Sequence, residues 1–495
     1  MAVFTPSSMR AAPRLYTAYA AAALGLYFIL GPLGLGHIPF FPDSLTPGGG
    51  TVWNGGDGNT RGNGIRSTDP STDKFLGLKT SKIVNYAPGY TVVENLYWYN
   101  YSYIFVTDQP WHIPRPYDQI VNMHVDTRIP KEGHEEMKVY AIRNPAVSPE
   151  VTENGQLGST ISLDDAVDMF SRAVELDSPM MINNDDNFVS HYYHWIGETF
   201  LGAWRVWSNY AWRTGLTLPN FKVIAFTKQW HRAEAPPGAN GATWWEDTPG
   251  ANKWFTQKFF PGVNIESKST WQARAESKRI YRIPLAVIAD RRGGHNGPSH
   301  GWKPWGDALR LPVSLDWLVN LRSRVLAGYS GPVNLRRGSK PKVMYLERQG
   351  SGRELVPEDH AALVREIERL GEEGLAEITI EAFSSAIPFE DQVAKISTVD
   401  ILVSVHGNGL THTLWMNPGA SVFELQPAEC TVTDYSPLAI AAGVQHYLVH
   451  ETSFCIPEEC PGRGCPGPRG INRNDIHVTA TVVTDQIRRI IRSKY

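Results

Sequence analysis

The chain has 495 residues, enough for two domains and a sizeable core, with 20% charged residues and a formal net charge of -3. Without a basic excess, nothing in the composition supports a nucleic-acid partner. Aromatic residues reach 11%, with 16 Trp, which suits a carbohydrate surface and a large core equally.

From Leu15 to Pro42 there is no Asp, Glu, Lys or Arg. The part from Leu15 to Gly36 would span roughly 33 Å as a helix, about one bilayer core. Arg10 and Arg14 precede it and the next charged side chain is Asp43. That flank predicts a cytosolic tail over 1–14, a single-pass type II anchor over 15–36 and a lumenal body. A cleaved signal peptide is the rival reading. Thr46 to Asp73 is rich in Gly, Asn, Ser, Thr and Asp. Such a stretch buries too little apolar area to fold, so 37–80 reads as a flexible stem. Asn100-Tyr101-Ser102 is an N-glycosylation sequon.

The first segment with chemistry is Asp185 to Phe200, D-D-N-F-V-S-H-Y-Y-H-W-I-G-E-T-F. Ser190 is placed to cap a helix over Ser190–Asn209 that carries His191, His194 and Glu198 on one face. A carboxylate or imidazole there can serve as a general base. Two other readings stay open: a metal site at H-x-x-H-x-x-x-E spacing, and a structural pair of histidines in a core. Asp185-Asp186 reads as an acidic turn before the helix. Strands are expected at Phe221–Phe226 and Arg279–Leu285, and a helix at Leu315–Leu326, with Trp-, Gly- and Pro-rich loops between them.

The carboxyl half alternates strands and helices. Pro341–Glu347 is a predicted strand, followed by Y-L-E-R-Q-G-S-G-R-E-L-V, in which Arg348 and Arg353 flank a Gly-Ser-Gly turn. Guanidinium forks suit a diphosphate. Pro357–Leu370 has helical periodicity, with Pro near the start and Gly371 as the stop. Glu377–Glu381 is a strand, Phe389–Thr398 a helix and Asp400–Val405 a strand. His406-Gly407-Asn408-Gly409 then breaks the run, Thr411–Met416 reads as a helical turn or two, and Ser421–Leu425 and His446–Val449 are strands. A strand, a glycine loop and a helix start make an anion site at the carboxyl edge of a doubly wound sheet, which points to a phosphate-bearing ligand. The four cysteines, Cys430, Cys455, Cys460 and Cys465, favour two disulfides in a lumenal chain, with three pairings open.

The string V-H-G-N-G-L-T followed by L-W-M-N-P-G-A-S-V-F-E-L, Val405 to Leu425, resembles the signature of glycosyltransferase family 61. These are lumenal enzymes that move a sugar from a UDP-sugar to a glycan or protein hydroxyl. The family usually shows a small residue where this chain has Asn408. The Asn187-Phe188 pair ahead of His194-Trp195 and Glu198 resembles the family's acceptor-side motif, and Arg348 to Arg353 its strand-end arginine segment.

The resemblance implies an α/β, GT-B-like fold. It has two Rossmann-like lobes closing over a cleft: an acceptor-side lobe over 81–330 and a nucleotide-sugar lobe over 331–495. It implies donor contacts from Arg348, Arg353, His406, Gly407, Asn408, Gly409, Leu410 and Thr411, with Glu424 at ribose hydroxyls. On the acceptor side it implies Asn187 and His191, with Glu198 and then His194 as the base. The expected activity is inverting transfer of N-acetylglucosamine or xylose in the Golgi or ER membrane. UDP-sugar is the co-substrate and no cofactor is required. No metal site is assigned, and divalent-metal dependence stays open. The alternative is a non-catalytic lumenal glycan-binding or scaffold protein on the same fold.

Overall fold

The short apolar runs of the carboxyl half become buried parallel strands because helices cover both faces of their sheet. β11 (Lys342–Leu346), β12 (Glu377–Glu381), β13 (Ile401–Val405), β14 (Ser421–Gln426) and β15 (Gln445–His450) pair in the order β12-β11-β13-β14-β15, all parallel. β16 (Ser453–Cys455) adds an antiparallel edge. The numbers are those of a computed structural model. It describes residues 77–495 apart from 123–135, 143–159, 186–187, 217–219, 240, 248, 299–302, 315–316, 328–339, 458, 461–463 and 466–469. The expected tail, anchor and nearly all of the stem lie outside the described residues, as does Asn187. Among the described residues no helix is long and apolar enough to cross a membrane.

The helices follow the sequence pattern with small shifts. The helix expected to stop at Gly371 runs from Pro357 to Glu372, and Gly374, with φ of 74°, takes the left-handed turn after it. The helix after β13 is a tight 3-10 helix that starts at Asn408 and runs to Trp415. Helices at Ser436–Ala442 and Ala480–Lys494, not anticipated, complete the layer.

The amino-terminal sheet differs more from expectation. Its strands are β1 (Lys82–Ala87), β2 (Tyr90–Tyr99), β3 (Ser102–Thr107), β4 (Glu136–Ile142), β5 (Thr160–Ile161), β6 (Val174–Glu175), β7 (Met180–Asn183), β8 (Val223–Phe226), β9 (Asn264–Glu266) and β10 (Tyr281–Ala289). The order is β5-β4-β3-β2-β10-β7-β8-β9, with β1 on β2 and β6 on β10. β10, β7, β8 and β9 are parallel neighbours, whereas β2 runs antiparallel to β1, β3 and β10. So the sheet is mixed, and only this parallel part is Rossmann-like. The whole is a two-sheet α/β arrangement consistent with a GT-B-like fold. Asn100 lies exposed at the β2–β3 turn with φ of 45°.

One apolar cluster runs through both sheets' layers, joining Trp195, Trp204, Phe255 and Phe259 to Phe389, Leu410, Leu414 and Trp415. Tyr192 packs edge-on to Phe389 at 4.7 Å, and its hydroxyl accepts the Trp415 indole N–H at 2.8 Å. Trp98, Trp195, Trp204, Trp207, Trp245, Trp271 and Trp415 are all fully buried. Much of the tryptophan content is therefore core. A shared aromatic core of this size restricts rocking of one lobe against the other.

His412 sits in this junction, stacked on Phe389 with centroids 5.1 Å apart, and Nε2 faces Gln392 Oε1 at 3.2 Å. Burial holds its pKa down at about 3. The unfolded chain therefore binds a proton there that the folded chain refuses. The expected result is a stability loss as pH falls below about 6.5, approaching 1.4 kcal/mol per pH unit from this one group. Chemical-denaturation midpoints of the wild type and His412→Leu across that range check it: the variant should lose this share of the slope.

Candidate active site

Two groups of residues meet at the junction. The first is carried by the segment after β7. Its helix does not begin at a Ser190 cap: residues Tyr193–Phe200 form a π-helical stretch that continues as an α-helix over Leu201–Thr214. π-turns of this kind recur at functional sites. His194 Nδ1 lies 2.6 Å from Glu198 Oε2. Arg291 Nη1 lies 3.0 Å from the same oxygen and 3.1 Å from His194 Nδ1. Nδ1 can donate to the carboxylate or accept from the guanidinium, not both. The shorter contact and the carboxylate charge favour donation, which leaves the lone pair on Nε2.

Glu198 is 2% exposed. Burial alone would raise its pKa, yet the His194 hydrogen bond with the charges of His194, Arg291 and Lys303 drives it far below the usual carboxylate range. Lys303 Nζ lies 3.3 Å from Glu198 Oε1. Arg291 in turn holds Asp185, with Nε 2.7 Å from Oδ2. The acidic turn expected at Asp185 is therefore half of a buried ion pair. Asp290 accepts the Gly293 N–H at 2.8 Å and so begins the short helix Arg291–His295 that aims Arg291. His191 lies exposed one turn before His194, with ring centroids 5.0 Å apart.

The second group surrounds the loop after β13. His406 directly follows that strand, buried, and its Nδ1 makes a very short contact with Glu424 Oε1. Glu424, expected at ribose hydroxyls, is 0% exposed. Gln426 Nε2 also donates to Oε1, at 2.8 Å, while His446 Nε2 stands 2.8 Å from Oε2 out of line for a hydrogen bond. Burial pushes the Glu424 pKa up, but the His406 charge and hydrogen bond outweigh it and hold it at about 2. The carboxylate is thus committed to fixing His406.

Gly407 leaves room for Arg348 over the loop. A Cβ there would lie 2.0 Å from Arg348 Nη1, because the guanidinium packs across the loop. Arg348 Nε is buried with no protein partner, a donor left for a ligand. Arg353 stands nearby, its Nε donating to Asn472 Oδ1 at 2.8 Å. Burial, then the charge of Arg353, lowers the Arg348 pKa. The first 3-10 bond runs from the Leu410 N–H to Gly407 O at 2.9 Å. The N–H groups of Asn408 and Gly409 precede it, so neither makes a bond within the helix. Leu410 and Thr411 are fully buried.

Asn408, the departure from the family pattern, bridges the groups: its Oδ1 accepts the Tyr193 N–H at 3.1 Å. Arg291, Lys303, Asp434 and His446 were not anticipated. Arg291 had a local signal, a charged pair and two glycines directly after an apolar strand. The other three had none.

Residues 192–423 match the model described as Glycosyltransferase 61. That segment belongs to glycosyltransferase family 61. It contains His194, Glu198, Arg291, Lys303, Arg348 and His406, while Asp185, His191, Glu424, Asp434 and His446 lie outside it. The EGF domain-specific O-linked N-acetylglucosamine transferase of Drosophila melanogaster is similar, 29% identical over 120 residues. The match covers 24% of this chain and 22% of that protein, so the chain spans about a fifth of that relative's length. The cysteines pair as Cys430–Cys465 and Cys455–Cys460. Among the described residues no group of three or more His, Cys, Asp or Glu is placed to hold a metal ion.

Proposed function

We propose that the protein is an inverting glycosyltransferase that moves a sugar from a UDP-sugar to a hydroxyl of a glycan or glycoprotein. The observation that carries this reading is a carboxylate-held imidazole, His194 on Glu198, beside a loop where Arg348 keeps a buried unpaired N–H. Arg348, Arg353, His406 and the Asn408 and Gly409 N–H groups take the diphosphate and stabilise the charge that grows on it as the sugar leaves. The acceptor oxygen bonds to the anomeric carbon as the carbon–phosphate-oxygen bond breaks. Its proton passes to His194 Nε2, and Glu198 stabilises the imidazolium. Glu198 itself, clamped by Arg291, Lys303 and the His194 N–H, is too weak a base to take that proton. His194, a quarter exposed, is therefore placed before Glu198 in the role.

N-acetylglucosamine is the first sugar to try, since the fruit-fly relative is named for its transfer, and xylose the second. The two disulfides support an oxidising compartment, the ER or Golgi lumen, entered through the apolar run Leu15–Gly36. The test is UDP release by the full chain against a panel of UDP-sugars with candidate hydroxyl acceptors. The reading expects one donor to turn over and Gly407→Ala, in which Arg348 is displaced, to lose UDP binding at least tenfold while staying folded. No turnover with any donor, together with unchanged UDP binding in Gly407→Ala, overturns it.

A further inference from the structure

We propose that Lys303 is a positioning residue that ties the base to the donor site and keeps a carboxylate out of the place of the diphosphate. The proposal rests on the reading above. Lys303 Nζ lies 3.3 Å from Glu198 Oε1 and 3.0 Å from Asp434 Oδ1, and 5.0 Å from the Tyr193 ring centroid. Asp434 Oδ2 lies 3.8 Å from His406 Nε2. One ammonium thus links the carboxylate that holds His194 to the carboxylate that faces His406. Tyr193 reinforces the link from the same helix. Its hydroxyl donates to Asp434 O at 3.0 Å and its N–H to Asn408 Oδ1 at 3.1 Å.

The charges decide what this does. His406, Arg348 and Arg353 make an electropositive place for a diphosphate, and Asp434 is the anion at its border. Lys303 draws Asp434 towards the base group and neutralises it. Without the ammonium, the pull of His406 on Asp434, already 3.8 Å away, is unopposed by Lys303, and the carboxylate competes with and repels a diphosphate there. On the other side, the charged groups facing His194 and Glu198 are Arg291, Lys303, Asp185, His191 and His295. Removing Lys303 takes one positive charge from this set, so the imidazolium forms more easily.

The test uses Lys303→Met, Lys303→Arg and the double variant Lys303→Met with Asp434→Asn in the full chain. Two quantities are read: UDP affinity, and the acid limb of the pH profile of kcat/KM. For Lys303→Met, UDP binding should weaken about tenfold and the acid limb rise by about half a pH unit or more. Lys303→Arg should restore most of both. Adding Asp434→Asn to Lys303→Met should restore UDP affinity while leaving the acid limb raised, a non-additivity that contact loss alone does not give. Weaker UDP binding in Lys303→Met that Asp434→Asn fails to rescue, with the acid limb unmoved, overturns the proposal and leaves Lys303 a structural ion pair. Absence of any UDP binding in the wild type would instead overturn the donor-site reading.

Discussion

His194→Gln should lose between about 10² and 10⁴ in kcat while binding UDP as the wild type does. Glutamine keeps the size and a hydrogen bond towards Glu198 but has no lone pair that accepts a proton near neutral pH. The loss corresponds to roughly 3–5 kcal/mol of barrier, within what a positioned base supplies. Glu198→Gln behaves differently. It removes the charge that fixes the His194 tautomer and leaves Arg291 and Lys303 without their shared anion. Its rate loss should therefore come with a loss of stability, whereas His194→Gln should unfold where the wild type does. Steady-state kinetics with UDP binding and denaturant unfolding on both variants check this. A Glu198→Gln protein that is stable and inactive beside an active His194→Gln would reverse the two roles.

The largest stability effect is expected at Arg291. The guanidinium is buried between Asp185 and Glu198 and packs 5.2 Å from the Phe188 ring. Burial alone lowers its pKa, but the charges of Asp185 and Glu198 raise it overall. Arg291→Met leaves two buried carboxylates short of a cation, and removing one partner of a buried pair costs about 3–5 kcal/mol. Adding Asp185→Leu removes one of the stranded charges and should recover part of that stability without recovering turnover, because Glu198 and His194 remain unclamped. Urea unfolding and transfer assays on the single and double variants separate the two effects. Equal stability of Arg291→Met and the wild type would show that Arg291 carries little of the site's order.

Glu198 and Glu424 are both held ionised, so they add a pH signature. A carboxylate whose folded pKa is depressed contributes stability above its unfolded value, near 4.3, that is lost as pH falls towards the folded one. For Glu424 that window runs down to about 2. It lies below the window of His412, whose share is lost first as pH drops from about 6.5.

What the sequence disclosed was local. Strand β13, the glycines after it and strand β14 are contiguous, so backbone preference and apolar runs were enough to place them. His194 and Glu198 share a face because they are neighbours on one helix. Contacts made across the chain were not legible. Asp185 reads as an acidic turn before the helix, since its partner Arg291 lies beyond three intervening strands. Glu424 was assigned to the ligand because its strand position is right. Only the fold reveals that His406, Gln426 and His446 enclose it. Lys303 and Asp434 lie in loops 131 positions apart and have no shared motif. The mixed order of the amino-terminal sheet is hidden for the same reason: the sequence reading places no strand at Tyr90–Tyr99, and only pairing with β10 sets the direction of β2.

The proposed base at His194 and the proposed diphosphate clamp at Arg348, on opposite sides of the sugar, imply a single displacement at the anomeric carbon. The anomeric configuration of the product, read by proton NMR before it can equilibrate, tests that most directly. From an α-linked UDP-sugar the account predicts a β-linked product. An α-linked product would require a second displacement or same-face attack, and would contradict the role given to His194.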